Sequence, residues 1–192
     1  MRSPVSLLLA VALQAFVLLG RAHSAGAEGE ILPPFGLAWG LAFERVEKSL
    51  RTAGGRIVER AAAGSGEERW TVEGLVQDGL QRVLFTFGEG RLIGVELQYG
   101  KDEWDAETYA EFVRRVRAGL DEEHGRGRLL VRQREPDPGV LKTLLGYSWA
   151  GDAQTVSLIY FSAQDQRHLF RLVSLHYSVR QRRAQPQAVS RS

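Results

Sequence analysis

The stretch over residues 83–99, VLFTFGEGRLIGVELQY, constrains this chain more than any other. Val83, Phe85 and Phe87 alternate with Leu84 and Thr86. After Gly88-Glu89-Gly90 the alternation resumes as Ile93, Val95, Leu97 and Tyr99 against Gly94, Glu96 and Gln98. A period of two on both sides of a glycine turn predicts a β-hairpin. Side chains change face at every strand residue, so one face would hold seven large apolar groups and need a cover, while the other could meet water. The cover has to come from the flanking sequence.

Upstream, Phe43, Val46, Leu50 and Ala53 fall on one helical stripe, with Glu44, Arg45, Glu47, Lys48 and Arg51 outside it. This predicts a helix over residues 42–53, ended by Gly54-Gly55. Ala42 stands where a capping hydroxyl would add about 1 kcal/mol. Residues 56–60 and the alternation around Trp70 and Val72 read as strands on either side of a flexible Gly64-Ser65-Gly66 connection. The order then returns. Asp105 is a plausible N-cap, and Tyr109, Phe112, Val113, Val116 and Leu120 form the apolar face of a helix that stops near His124-Gly125. Strands are predicted over 128–133, 144–150, 156–161 and 169–178, with Pro136-Asp137-Pro138-Gly139 as a loop. Val95-x-Leu97-x-Tyr99 reappears as Val173-x-Leu175-x-Tyr177, and Trp70 has a counterpart in Trp149. The expectation is an α+β fold of tandem helix-plus-antiparallel-sheet units (α-β-β-β-β twice), helices packed on one sheet face, over residues 28–100 and 101–179.

The ends differ from the body. Arg2, an apolar run over residues 5–19 and Ala25-Gly26-Ala27 have the form of a signal peptide over residues 1–27, cleaved before Glu28. The other reading is an uncleaved anchor, for which the uncharged run over 3–20 is just long enough. A periplasmic or secreted protein, soluble after signal cleavage, is the expectation. Residues 180–192 lack apolar periodicity and read as a disordered basic tail. Its arginines could touch anionic membrane or a partner, although a solvated end without function is the stronger reading.

Charge decides against nucleic acid. Of 25 basic residues, Arg2 and Arg21 precede residue 28, and Arg180, Arg182, Arg183 and Arg191 close the chain. The body keeps 19 bases against 23 acids, net −4. The absence of cysteine removes disulfides, thiolate metal sites, a cysteine nucleophile and a lipid-modified cysteine.

Reactive chemistry finds little support. His124 follows Asp121-Glu122-Glu123, but consecutive helix positions point about 100° apart and do not converge on a metal. Ser65 lacks the strand-to-helix elbow of a nucleophile, and no G-x-S-x-G occurs. No helix start follows Gly88-Glu89-Gly90 to bind an anion. Catalytic residues, cofactors and metals are therefore not expected.

Gly40-Leu41-Ala42-x-x-x-Val46-x-x-x-Leu50, then Trp70-x-Val72, residues 83–87 and Gly90-Arg91-Leu92-x-x-Val95 together resemble the exported SmpA/OmlA (BamE-like) and β-lactamase-inhibitor-protein-like family. The resemblance covers about residues 36–99, with a looser version in the second half. The family's hydroxyl at the helix start is replaced by Ala42, and its lipobox cysteine is missing. The resemblance implies a non-catalytic module, not an enzyme, that binds an envelope or secreted protein through the free sheet face or its loops.

Strand parity names that face. If Val95, Leu97, Tyr99, Val173, Leu175 and Tyr177 meet the helices, then Thr71, Glu73, Thr86, Glu96, Gln98, Ser174 and His176 point away and are the candidate partner-binding residues. An ordinary solvated sheet surface is the plainer reading. The alternative function is a small-ligand or lipid carrier with its ligand between helices and sheet, which Ser157, Ile159 and Phe161 hint at in one strand. A hydrolase comes third.

Overall fold

A computed structural model describes residues 29–64, 66–137 and 139–180. The expected signal peptide, Ser65 and the tail beyond Arg180 lie outside the described residues. Helix α1 (Phe43–Thr52) precedes strands β1 (Arg56–Ala62), β2 (Glu67–Glu73), β3 (Leu80–Gly88) and β4 (Arg91–Tyr99). Helix α2 (Ala106–His124) precedes β5 (Arg128–Asp137), β6 (Val140–Ala150), β7 (Gln154–Gln164) and β8 (Leu169–Val179).

All eight strands join one antiparallel sheet in the order β1-β2-β3-β4-β8-β7-β6-β5. This overturns the expected tandem α-β-β-β-β units: the described residues form one continuous, mostly β structure with two helices. The joint is the β4–β8 ladder, where Val95 faces Tyr177, Leu97 faces Leu175 and Tyr99 faces Val173. The echo between those two triplets therefore marks direct pairing and not repetition. Two separate sheets would leave β4 and β8 as edges with unpaired backbone groups. Joining them satisfies those groups and carries one apolar row across Trp70, Phe85, Val95, Tyr177, Val156 and Trp149.

Both helices cover that same face. Phe43 of α1 stacks on Trp70 at 5.2 Å and meets Phe87 at 4.7 Å, while Phe112 of α2 meets Tyr99 at 5.0 Å. Val46 and Leu50 of α1 and Tyr109, Phe112, Val113 and Leu120 of α2 are buried in the same core as Phe85, Val95 and Trp149. Burial in this desolvated interior raises the Tyr99 phenol to about 12, against a smaller opposing effect of its hydrogen bond to Gln77.

Local chemistry sets the ends of the elements. Ala42 gives α1 no side-chain cap, as its methyl requires, whereas the Asp105 carboxylate accepts the Thr108 backbone N–H at 2.8 Å and caps α2. α1 closes through backbone alone: Gly55 N–H reaches Leu50 C=O at 2.8 Å and Gly54 N–H reaches Arg51 C=O at 3.1 Å, with Gly54 at φ +81°. These are the two bonds of a Schellman end. The β3–β4 turn places Glu89 at φ 50° and Gly90 at φ 75°, the left-handed pair of a type I′ hairpin.

Two expectations need local correction. An irregularity between Thr86 and Phe87 pairs Phe87 with Leu92, so Leu92 enters the core and Ile93 lies instead against Gly88. The expected loop over residues 136–139 is also shorter, because β5 continues through Pro136, which pairs with Leu141. β5 is an edge strand, and an edge tolerates a residue with no N–H to donate.

Candidate functional site

The face opposite the helices is lined by the alternate residues of every strand. Its central row follows the register Thr71, Leu84, Glu96, His176, Ser157 and Ser148 from β2 to β6. Among the seven predicted residues, the structure gathers four at the β4–β8 joint. Glu96 Oε1 accepts from Gln98 Nε2 at 2.9 Å and from Ser174 Oγ at 2.8 Å, and His176 stands opposite Glu96 in register. Gln98 Oε1 in turn accepts from Arg82 Nε at 2.7 Å, which links β3, β4 and β8 in one polar chain. Arg82 was missed in the sequence because its partner is set by strand register, and its parity alone put it on this face.

The other three stand apart. Thr71 is buried and donates to Glu59 Oε2 at 3.3 Å, so its hydroxyl is engaged beside the sheet edge. Glu73 is exposed and paired with Arg56 at 3.6 Å. Thr86 is half-buried across from Gly94, whose missing side chain leaves room for Thr86 and for the His176 ring.

Beyond the joint the same face turns apolar. Leu144, Phe161 and Leu172 form one cross-strand row, and Ile159 lies over Gly146 beside Val131. A Cβ on Gly146 would meet Ile159 Cδ1 at 2.7 Å and Val131 Cγ1 at 3.0 Å, so glycine is what lets these two side chains fold together. Phe170, 53% exposed, reaches Phe161 with ring centroids 6.1 Å apart. Leu-Leu at 144–145 and Leu-Val at 172–173 were the available signals, since adjacent large apolar residues in a strand supply both faces.

The sheet edges are guarded. β1 carries an irregularity at Val58 and the charges Arg56, Glu59 and Arg60, and β5 carries one at Leu130 together with Pro136. Such features oppose strand addition by a second chain. Among the described residues, no group of three or more His, Asp or Glu side chains is placed to hold a metal ion, and no helix is long and apolar enough to cross a membrane. His124 sits 3.8 Å from Glu123 alone, and His168 pairs with Asp165 at 3.2 Å. Comparison with protein families, curated proteins and solved structures finds no match to this chain.

Proposed function

We propose that this chain is an exported, non-catalytic binding module that docks an envelope or secreted protein on its uncovered sheet face. The observation that supports this reading is the composition of that face: a hydrogen-bonded polar chain through Arg82, Gln98, Glu96 and Ser174 adjoins an apolar row through Leu144, Phe161 and Leu172. Protein interfaces combine these two features, an apolar patch to desolvate and polar groups that fix register. The guarded edges favour docking by the face over strand addition. Export follows from the form of residues 1–27, and the family resemblance points the same way.

The test is affinity capture from native envelope extract with the wild-type chain and with Phe161→Ser/His176→Ala as baits. One dominant protein retained by the wild type and lost from the variant, with the variant still unfolding cooperatively and well above the capture temperature, is the expected result. Equal retention on both baits would move the binding site off this face.

A further inference from the structure

A second surface lies on the other side of the sheet, independent of the docking face. α2 leaves a cavity of about 270 Å³ where it crosses β6 and β7, walled by Ala110, Val113, Leu145 and Tyr160 and bordered by Arg114 and Arg117. The space exists because the helix presents small side chains there: Ala106 and Ala110 face a half-covered Leu145 and Tyr160 that larger residues would have closed over.

The charges around this cavity are unbalanced. Its lining holds two guanidinium groups and no carboxylate. Arg117 lies 4.1 Å over the Tyr147 ring, and its buried Nε makes no hydrogen bond. Asp121 Oδ2 stands 3.4 Å from that Nε in an i,i+4 ion pair, while Asp121 Oδ1 accepts from Gly127 N–H at 2.7 Å and Trp149 Nε1 at 3.0 Å. Arg132 and Arg134 pair with Leu145 and Thr143 of the lining, which puts them on the same face at neighbouring positions. Among the described residues, Arg114, Arg132 and Arg134 have no carboxylate within ion-pair distance.

The cavity at the other end of the sheet differs in carrying carboxylates in its own lining. It is larger, about 440 Å³ between α1 and β1. There Glu47 and Glu59 share the lining with Arg51, Arg56 and Arg60, and Glu47 pairs with both Arg51 at 2.7 Å and Arg60 at 3.2 Å. Arg114, Arg132 and Arg134, exposed and without a carboxylate partner among the described residues, give the α2 hollow a positive rim in a body of net charge −4, which favours an anion there.

We infer that the α2 cavity binds a small amphipathic anion, a carboxylate on an apolar chain of medium length. The carboxylate would meet the guanidinium forks of Arg117 and Arg114, whose planar geometry suits it, and the chain would lie against Val113, Leu145 and Tyr160. The volume sets the size. At about 270 Å³ it lies near the roughly 300 Å³ at which drug-sized pockets begin, which suits a chain of medium length.

Octanoate is the probe, titrated into the purified full chain by calorimetry and by amide chemical shift, with acetate and 1-octanol as controls lacking the tail or the charge. Saturable octanoate binding is expected, with both controls at least roughly tenfold weaker and shifts centred on Ala110, Val113 and Tyr160. Ala110→Phe fills the hollow from an exposed helix position and should abolish binding at an unchanged thermal midpoint. Arg114→Gln, also exposed, should weaken it severalfold, which keeps the test open if Ala110→Phe fails to fold. Absence of saturable binding, 1-octanol binding as tight as octanoate, shifts centred on Phe161 and Leu172, or Arg114→Gln binding as well as wild type would each overturn the assignment. None of these results bears on protein capture by the opposite face.

Discussion

Across β1–β4 the uncovered face closes on itself through polar pairs, Arg82 to Gln98, Gln98 to Glu96 and Thr71 to Glu59, whereas across β6–β8 it carries Leu144, Ile159, Phe161 and Leu172 with no helix over them among the described residues. The covered face shows no such divide, since one apolar row runs through both regions. The difference separates two demands on a strand. Residues under the helices are bound by the shared core, and those facing away are free to differ because their burial adds little to folding. Strand length follows the same division. β1–β4 run 7 to 9 residues, whereas β5–β8 run 10 or 11 and carry Phe170 out to a position with no helix above it.

Phenylalanine truncation should break the comparison most sharply. Phe85 is fully buried at the centre of the covered face, and Phe85→Ala should cost about 3–5 kcal/mol. Phe161→Ala, half-buried on the uncovered face, should cost at most about 1 kcal/mol. Urea denaturation of the two variants measures the gap, and equal losses would mean that the second face is also packed in solution.

Two glycines should give the next largest difference. A Cβ on Gly127 would stand 2.4 Å and 2.5 Å from the ring of Trp149, which is buried and cannot yield. Gly127→Ala should therefore destabilise by about 1–3 kcal/mol, as overpacking does. At Gly55 the closest atom is the flexible end of Leu75 at 3.0 Å, so Gly55→Ala should lower the thermal midpoint less.

The smallest effect is expected where the helices end. α1 closes through backbone bonds at Gly54 and Gly55, in which no carboxylate takes part. α2 is instead clasped to β5 and β6 by Asp121, whose carboxyl is held below the usual range first by the Gly127 N–H, then by Trp149 and Arg117. A carboxyl with a depressed folded value stabilises the protein above its unfolded value and loses that contribution as pH falls through the folded one. Asp121→Asn should lower the thermal midpoint at pH 7, and the gap to wild type should narrow toward pH 3. A gap that does not change with pH would show that the carboxylate charge contributes nothing there.

The readable part of the fold was the part decided within a few residues. Asp105 with Thr108, Gly54 after α1 and the glycines around Glu89 act on their immediate neighbours, and the structure carries each as expected. Strand pairing was not local. Val95 and Val173 alternate in the same way whether their strands repeat or touch, and only the unpaired backbone of two edges distinguishes the cases. Leu92 and Ile93 were exchanged for a related reason, because a one-residue irregularity reverses parity without changing composition. Of the candidate site, parity placed Glu96, Gln98, Ser174 and His176 on one face, and the register then brought them together. Arg82 and the row through Leu144 and Leu172 needed the neighbouring strand to be known.

The β4–β8 ladder also fixes when this sheet can be completed. Val95 waits for Tyr177, and Leu97 for Leu175, so the middle of the sheet is the last part of it to leave the ribosome. Until residues 169–179 arrive, β4 is a long apolar edge open to any strand that drifts past, and the ordering of so distant a pair slows closure. The hazard of this chain is therefore one of timing: a product cut short before β8 would expose at its centre the very edge that the finished protein exposes nowhere.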